Sequence, residues 1–250
     1  MNRLISQQHR IRSLGEEMSS LLLAYQLRGK KVVVIGAGEV AAGRVKACYD
    51  ADASIIEVYG KDVHPDILAL EEDGDRTIEI FEGAVRPENV DLEGVSLAFT
   101  AIDDRKLSAE FVQLFRNKNI MCNAADIPEL CDFYFGSTIN RGPLQVLVST
   151  NGNAPRLARR VRQELEHTVD QLGMEGAFAK VGKLREELRK MTVTGEEGYD
   201  PQTVKKRMKW MSHICDKFTF SQMAALTDKD IGKLLALYPQ KVSYSDIRPS

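Results

Sequence analysis

The stretch Lys30 to Ala41, KKVVVIGAGEVA, decides how the chain is read. KKVVVI is an unbroken β-branched run, the composition of a parallel strand covered on both faces. It leads directly into Gly36-Ala37-Gly38-Glu39-Val40-Ala41, a G-x-G-x-x-A pattern. Beyond it Val40, Ala41, Val45, Ala47 and Cys48 recur at the spacing of a helix packed on a sheet. In such a strand-turn-helix the first glycine permits a tight turn, the second lets the backbone approach a pyrophosphate, and the alanine lets the helix pack closely. Free N–H groups and the helix dipole at that point favour an anion. Gly36, Ala37, Gly38, Glu39 and Val40 are therefore candidate dinucleotide-binding residues. The competing reading is a glycine turn with a purely structural role.

Downstream, SIIEVYG, TIEIFEG, SLAFTAID and NIMCNAA are short and rich in β-formers, while DILALEEDG and RKLSAEFVQLFRNKN are helix-like. Alternation of this kind predicts βαβ units and a parallel sheet. After position 136 the pattern changes. RGPLQVLVSTNG predicts one strand ending at a turn, and APRLARRVRQELEHTVDQLG a long helix with Pro155 in its first turn. AFAKVGKLREELRKM, TVKKRMKWMSHICDKF and TDKDIGKLLALYP predict further helices, the last opened by Thr227 and Asp228, and TVTGEEGYDPQ a linker. The expected architecture is α/β: an N-terminal Rossmann-type parallel sheet over 1–120, a central strand-helix portion over 121–165, and a C-terminal helical domain over 166–250.

The 250 residues carry a formal net charge of -2, with 43% hydrophobic and 28% charged residues, the profile of an ordinary globular protein. That balance gives no global electrostatic case for nucleic acid or a membrane surface as partner, so any basic site is local. Cys48, Cys122, Cys131 and Cys215 show no C-x-x-C spacing, which disfavours zinc and a disulfide framework and points to a reducing, cytoplasmic setting. Arg3, Arg10 and Arg12 hint at a transit segment, but Glu16, Glu17 and the lack of a long apolar run argue against export.

The acid expected about 20 residues beyond the glycine loop is not cleanly placed. Glu57 comes too early, and the strand tip reads Tyr59-Gly60-Lys61-Asp62, offering Asp62 to a ribose or Lys61 to a 2′-phosphate. Thr100 and Ala101 fall where a later strand would end at the cofactor crevice, with Asp103 or Asp104 read equally well as a helix cap. The segment MCNAADIPELCDFYFG, 121–136, holds three acids between strand-like ends. Asp126 and Glu129 have the spacing of a capping box around Pro128. A carboxylate on a strand-to-helix turn beside a cofactor also suits a general base.

Three stretches, GAGEVAAGR, NAADIPELCDFYFGS and LQVLVSTNGNAPRLARRVR, together resemble the siroheme synthase family over residues 20 to 165. The helical tail, with GKLREELR and CDKF, looks more like the stand-alone precorrin-2 dehydrogenase/ferrochelatase than the form fused to a methyltransferase. Too few residues follow position 165 for that extra domain. The resemblance implies NAD as cofactor, a tetrapyrrole as small-molecule substrate, Fe²⁺ as a second substrate, and a homodimer formed through the central portion. It places the family's catalytic aspartate at Asp126, within Asn123-Ala124-Ala125-Asp126, with Asn123 near the cofactor.

A substrate bearing many carboxylates calls for local cations, and Arg141, Arg156, Arg159, Arg160 and Arg162 cluster along the strand-turn-helix portion. Arg156 and Arg159, with the turn Ser149, Thr150 and Asn151, are the candidate substrate-binding residues. A solvated helix face and a helix cap are the competing readings. His9, His64, His167 and His213 are far apart, and no metal ligand is assigned. Met208, Trp210, Met211 and Phe218 read as helix core, and KKRMKW as a solvated basic face. Two alternatives stay open: a dehydrogenase without chelatase activity, and an NAD-sensing regulatory module.

Overall fold

A computed structural model describes residues 20–193 and 200–248. The basic N-terminal stretch and most of the expected linker, 194–199, lie outside the described residues. Contacts divide the chain into two units, Met1–Phe135 and Gly136–Ser250.

The first unit alternates as its sequence does: β1 (Lys31–Ile35), α1 (Glu39–Asp50), β2 (Ile55–Gly60), α2 (Pro65–Asp73), β3 (Thr77–Glu82), β4 (Val95–Thr100), α3 (Arg105–Asn117) and β5 (Met121–Ala124). All pairings are parallel, in the order β3-β2-β1-β4-β5. The order reverses between β1 and β4, which opens a crevice at the carboxyl ends of those strands. Successive side chains of β1 point to opposite faces. Val32 and Val34 join a core with Ala41, Val45 and Ile67, while Val33 and Ile35 join Phe111, Val112 and Phe115 on the other side. This is why KVVVI must be apolar at every position.

The expected domain boundary at 120 differs from the structure. β5 pairs with β4 through Phe99↔Asn123 and Thr100↔Ala124, so its residues complete the sheet, and the first unit runs to Phe135. The central and helical portions group together in the second unit.

In that unit the predicted single strand is a hairpin, β6 (Ser137–Arg141) and β7 (Leu144–Val148), paired antiparallel around Gly142-Pro143. Helices α4 (Pro155–Gln171), α5 (Met174–Thr192), α6 (Pro201–Lys217), α7 (Phe220–Ala224), α8 (Asp228–Leu237) and α9 (Tyr244–Ile247) follow. Leu184, Leu188, Trp210, Ile214, Leu226 and Leu234 form their shared core. Trp210 and Phe218 are buried and Met211 is half-buried, as a core reading requires, but Met208 is 64% exposed. Thr227 caps α8 with a reciprocal capping box to Asp230. Burial leaves that carboxylate in contact with Arg248 at 2.6 Å, and this ion pair with the Thr227 hydrogen bonds holds its pKa far below the usual carboxylate range.

Candidate active site

The carboxyl ends of β2, β1, β4 and β5 are laced together just beyond the regular strands. Gly36 N–H donates to Tyr59 O at 2.7 Å, Ala101 N–H to Ile35 O at 2.6 Å, and Ala125 N–H to Thr100 O at 2.8 Å. Gly36 adopts φ +115°, and a Cβ there would lie 2.1 Å from Ala101 O. Only glycine allows this approach of the β1 turn to the end of β4. Gly38 has the opposite surroundings. It is the N-cap of α1, with extended backbone and no side-chain cap, and a Cβ built on it meets nothing within 4 Å.

Open space therefore stands in front of the unpaired N–H groups of a twelve-residue helix, which suits a phosphate group. Ala37 is buried below this space, and Glu39 and Val40 are exposed at its rim. Among the described residues, two buried atoms at the same edge have no hydrogen-bond partner, Thr100 Oγ1 and Asn123 Oδ1. Asn123 is held in place through its amide, which donates to Phe133 O at 2.9 Å. Buried polar atoms are nearly always paired, so these positions fit a polar ligand. Cradle and orphaned atoms together fit a dinucleotide.

Within β2, short of its tip, the carboxylate of Glu57 is buried and in contact with Lys31 Nζ at 2.6 Å, and it accepts from Tyr59 Oη at 2.9 Å. It is thereby occupied and removed from the ribose position. The Tyr59 ring stacks on Phe81 with centroids 4.5 Å apart, and burial together with the Glu57 contact raises its phenol pKa. The Tyr59 hydroxyl is thus committed to Glu57 and its carbonyl oxygen to the Gly36 N–H. Gly60 is buried beside it, Lys61 and Asp62 are exposed, and Ala101 is half-buried.

Asp126 lies in the turn that leaves β5, with φ +59° and an exposed side chain. The capping-box reading does not hold. The short 3-10 turn Pro128–Leu130 has Ile127 at its N-cap and no side-chain cap, and Glu129 is ion-paired with Arg105. Asp132 is also committed, to Arg116 at 2.8 Å and to the Cys122 N–H at 2.9 Å. Of the three acids between the strand-like ends, Asp126 alone makes no hydrogen bond or ion pair among the described residues; its electrostatic neighbour is Arg44 on α1. Asp104, not Asp103, caps α3, accepting from the Lys106 and Leu107 N–H groups.

Arg44, beside Asp126, is a candidate that no local sequence pattern singles out. Its guanidinium lies 4.2 Å over the Phe135 ring, and Phe135 meets Phe99 edge-on at 5.4 Å. An arginine inside an amphipathic helix looks solvated until residues far along the chain are placed around it.

The remaining candidates belong to the second unit. Ser149 Oγ accepts from the Asn151 N–H and Thr150 Oγ1 from the Ala154 N–H, each at 3.1 Å, with Asn151 at φ +54°. These bonds fix the turn. The N-cap of α4 is Ala154, without a side-chain cap, so neither hydroxyl caps the helix. Arg141 is paired with Glu166 at 2.9 Å and Asp170 at 2.7 Å, and Arg162 is paired with Glu166. Arg156 and Arg159 are exposed and have no ion pair among the described residues. Also among the described residues, no group of three His, Cys, Asp or Glu side chains could hold a metal ion, and no helix is long and apolar enough to cross a membrane.

Comparison with known proteins gives matches along most of the chain. A family model described as "Putative NAD(P)-binding" matches residues 23–137, "Sirohaem biosynthesis protein central" matches 141–168, and "Sirohaem biosynthesis protein C-terminal" matches 172–243. The siroheme biosynthesis protein met8 of Schizosaccharomyces pombe is 39% identical over 230 residues, 91% of this chain and 83% of that protein. Its namesake from Saccharomyces cerevisiae is 34% identical over 256 residues, 88% of this chain and 90% of that protein. A siroheme synthase of Methylobacillus flagellatus is 33% identical over 186 residues, 72% of this chain but 37% of its own length. Among solved structures, SirC, a precorrin-2 dehydrogenase, superposes with a TM-score of 0.64 at 21% identity, covering 88% of this chain and 100% of its own, a likeness of fold.

Proposed function

The chain belongs to the siroheme synthase family of siroheme-biosynthesis proteins, and from that premise we propose that it oxidises precorrin-2 to sirohydrochlorin and then inserts ferrous iron to give siroheme. The observation that carries this reading is the free carboxylate of Asp126 on the sheet edge that also bears the Gly36–Gly38 cradle. Gly36, Ala37, Gly38, Glu39 and Val40 would hold NAD⁺, together with Tyr59, Gly60, Lys61, Thr100, Ala101 and Asn123. When bound, that cofactor supplies the hydride acceptor.

Oxidation removes a hydride and a proton from the macrocycle, and metal insertion removes two protons from its pyrrolic nitrogens. Both steps need a proton acceptor near the ring, and Asp126 serves both. Its neighbours Glu129 and Asp132 are committed to Arg105 and Arg116, which leaves Asp126 as the base of this segment. Fe²⁺ enters as substrate; the ring nitrogens are its final ligands. Incubation with precorrin-2 and NAD⁺, followed by Fe²⁺, while absorbance is recorded, tests the proposal. We expect NADH and sirohydrochlorin first and siroheme second. Oxidation without metal insertion would reduce the function to a dehydrogenase, and no turnover would remove it.

The substrate's carboxylates would also meet Arg156 and Arg159, with Ser149, Thr150 and Asn151 in the adjoining turn. Arg141 drops out of that role because Glu166 and Asp170 already hold it. We further propose a homodimer. Leu157, Val161 and Leu165 recur at i, i+4 and i+8 on α4 and are 56%, 42% and 40% exposed, an apolar stripe that a second copy would cover. Val161→Asp would place a charge in the middle of it. Light scattering is expected to give a dimer mass for the parent protein and a monomer mass for the variant. A parent protein at 28.0 kDa would refute the dimer.

A further inference from the structure

Arg44 stands apart from most of the described arginines of the first unit; Arg86 also makes no ion pair among the described residues, but of the two only Arg44 has a buried nitrogen without a partner. Arg28, Arg76, Arg105 and Arg116 each hold a carboxylate: Asp52, Asp52, Glu129 and Asp132. Arg44 makes no ion pair and no hydrogen bond among the described residues, and its Nε is buried without a partner. Burial lowers its pKa, and the nearby Cys131, Asp126 and Cys48 oppose that. Burial also raises the pKa of both thiols, and Asp126 is the carboxylate among these neighbours.

The guanidinium is nevertheless fixed. Phe135 supports it from below at 4.2 Å, and Phe135 in turn packs against Phe133 at 6.1 Å and the fully buried Phe99 at 5.4 Å. A cation over one ring is a modest gain, and a buried N–H with no acceptor is a comparable loss, so stability does not explain the arrangement. A planar fork of donors on a half-buried side chain, its Nε withdrawn from water and its nitrogens unpaired among the described residues, is built to receive a carboxylate in bidentate fashion.

We propose that Arg44 is a substrate-binding residue, taking one carboxylate of the acidic tetrapyrrole so that the ring edge to be deprotonated lies at Asp126. This rests on the tetrapyrrole reading above. The pyrophosphate of the cofactor is the other available anion. Arg44 is six residues beyond the Gly38 N-cap, however, about 9 Å along the helix axis from the cradle, which favours the substrate.

The test is equilibrium titration of the full chain with sirohydrochlorin, followed by its absorbance, and separately with NAD⁺, for the parent protein, Arg44→Gln and Arg44→Lys. Arg44→Gln is expected to weaken sirohydrochlorin binding roughly ten- to hundredfold, with NAD⁺ affinity and unfolding temperature unchanged. Arg44→Lys keeps the charge but loses the fork and should fall between. Unaltered sirohydrochlorin affinity in Arg44→Gln overturns the assignment, as does an equal loss of NAD⁺ affinity, which would give the guanidinium to the cofactor. If Arg44→Gln fails to fold, Arg44→Lys decides, and parent-like affinity there overturns the assignment. Failure of the parent protein to bind sirohydrochlorin is a separate outcome, in which the tetrapyrrole reading falls and this site with it.

Discussion

Asp126→Asn is expected to lower precorrin-2 oxidation by about 10²–10⁴-fold, the range that a positioned general base contributes. Ferrous iron insertion should fall with it. The substitution suits the question because asparagine has the same shape and tolerates the left-handed backbone, φ +59°, that this turn requires. No hydrogen bond or ion pair among the described residues is lost, so the unfolding temperature and NAD⁺ affinity should hold. NADH production, siroheme absorbance and cofactor titration read the three quantities separately. Full NADH production in the variant would remove Asp126 as the base. Loss of oxidation with intact metal insertion would divide the two steps between different acceptors, and the shared-base mechanism would be wrong.

The strand-turn-helix at the start of the sheet was legible because each of its requirements is local: β-branched residues for a strand buried on both faces, glycine where the backbone turns, alanine where helix meets strand. The alternation that follows was enough to predict a parallel sheet, but not where it ends. NIMCNAA looks like a strand on either side of a boundary, and only its pairing with β4 assigns it to the first unit. Half of the hairpin was missed for a similar reason. Ser137–Arg141 is short and polar apart from Ile139, and its identity as a strand comes from five partners on β7.

Inside the site the errors have a common origin. The spacing of Asp126 and Glu129 fits a capping box, yet the left-handed turn at Asp126 leaves Ile127 as N-cap, while Glu129 finds Arg105, 24 residues away. Glu57, already too early in the strand to reach a ribose, proves to be held by Lys31 and Tyr59. Arg44 depends on Phe135 and Asp126, both far along the chain, and no short-range pattern could reveal it. Tertiary partners decide which charged groups are occupied and which are left for a ligand.

The glycine loop allows binding and stability to be separated by two substitutions two residues apart. Gly36→Ala puts a Cβ 2.1 Å from Ala101 O on a backbone at φ +115°, so the end of β4 must move or the loop must change conformation. Steric overlap with backbone and the unfavourable dihedral each cost about 1–3 kcal/mol, a large part of the marginal stability of a folded domain. The unfolding temperature should drop markedly and NAD⁺ binding should be lost with it. Gly38→Ala meets no atom within 4 Å and sits at φ −80°, so its effect on stability should stay below about 1 kcal/mol, the scale of an N-cap change. The new methyl group would instead stand in the open space before the α1 N–H groups, and NAD⁺ affinity should fall at least about tenfold, the consequence of weakening one charge-assisted hydrogen bond. Thermal unfolding and NAD⁺ titration of both variants check this contrast. Parent-like cofactor affinity in Gly38→Ala would mean that the phosphate does not approach the helix at that residue, and the cradle would have to be sought elsewhere along the sheet edge.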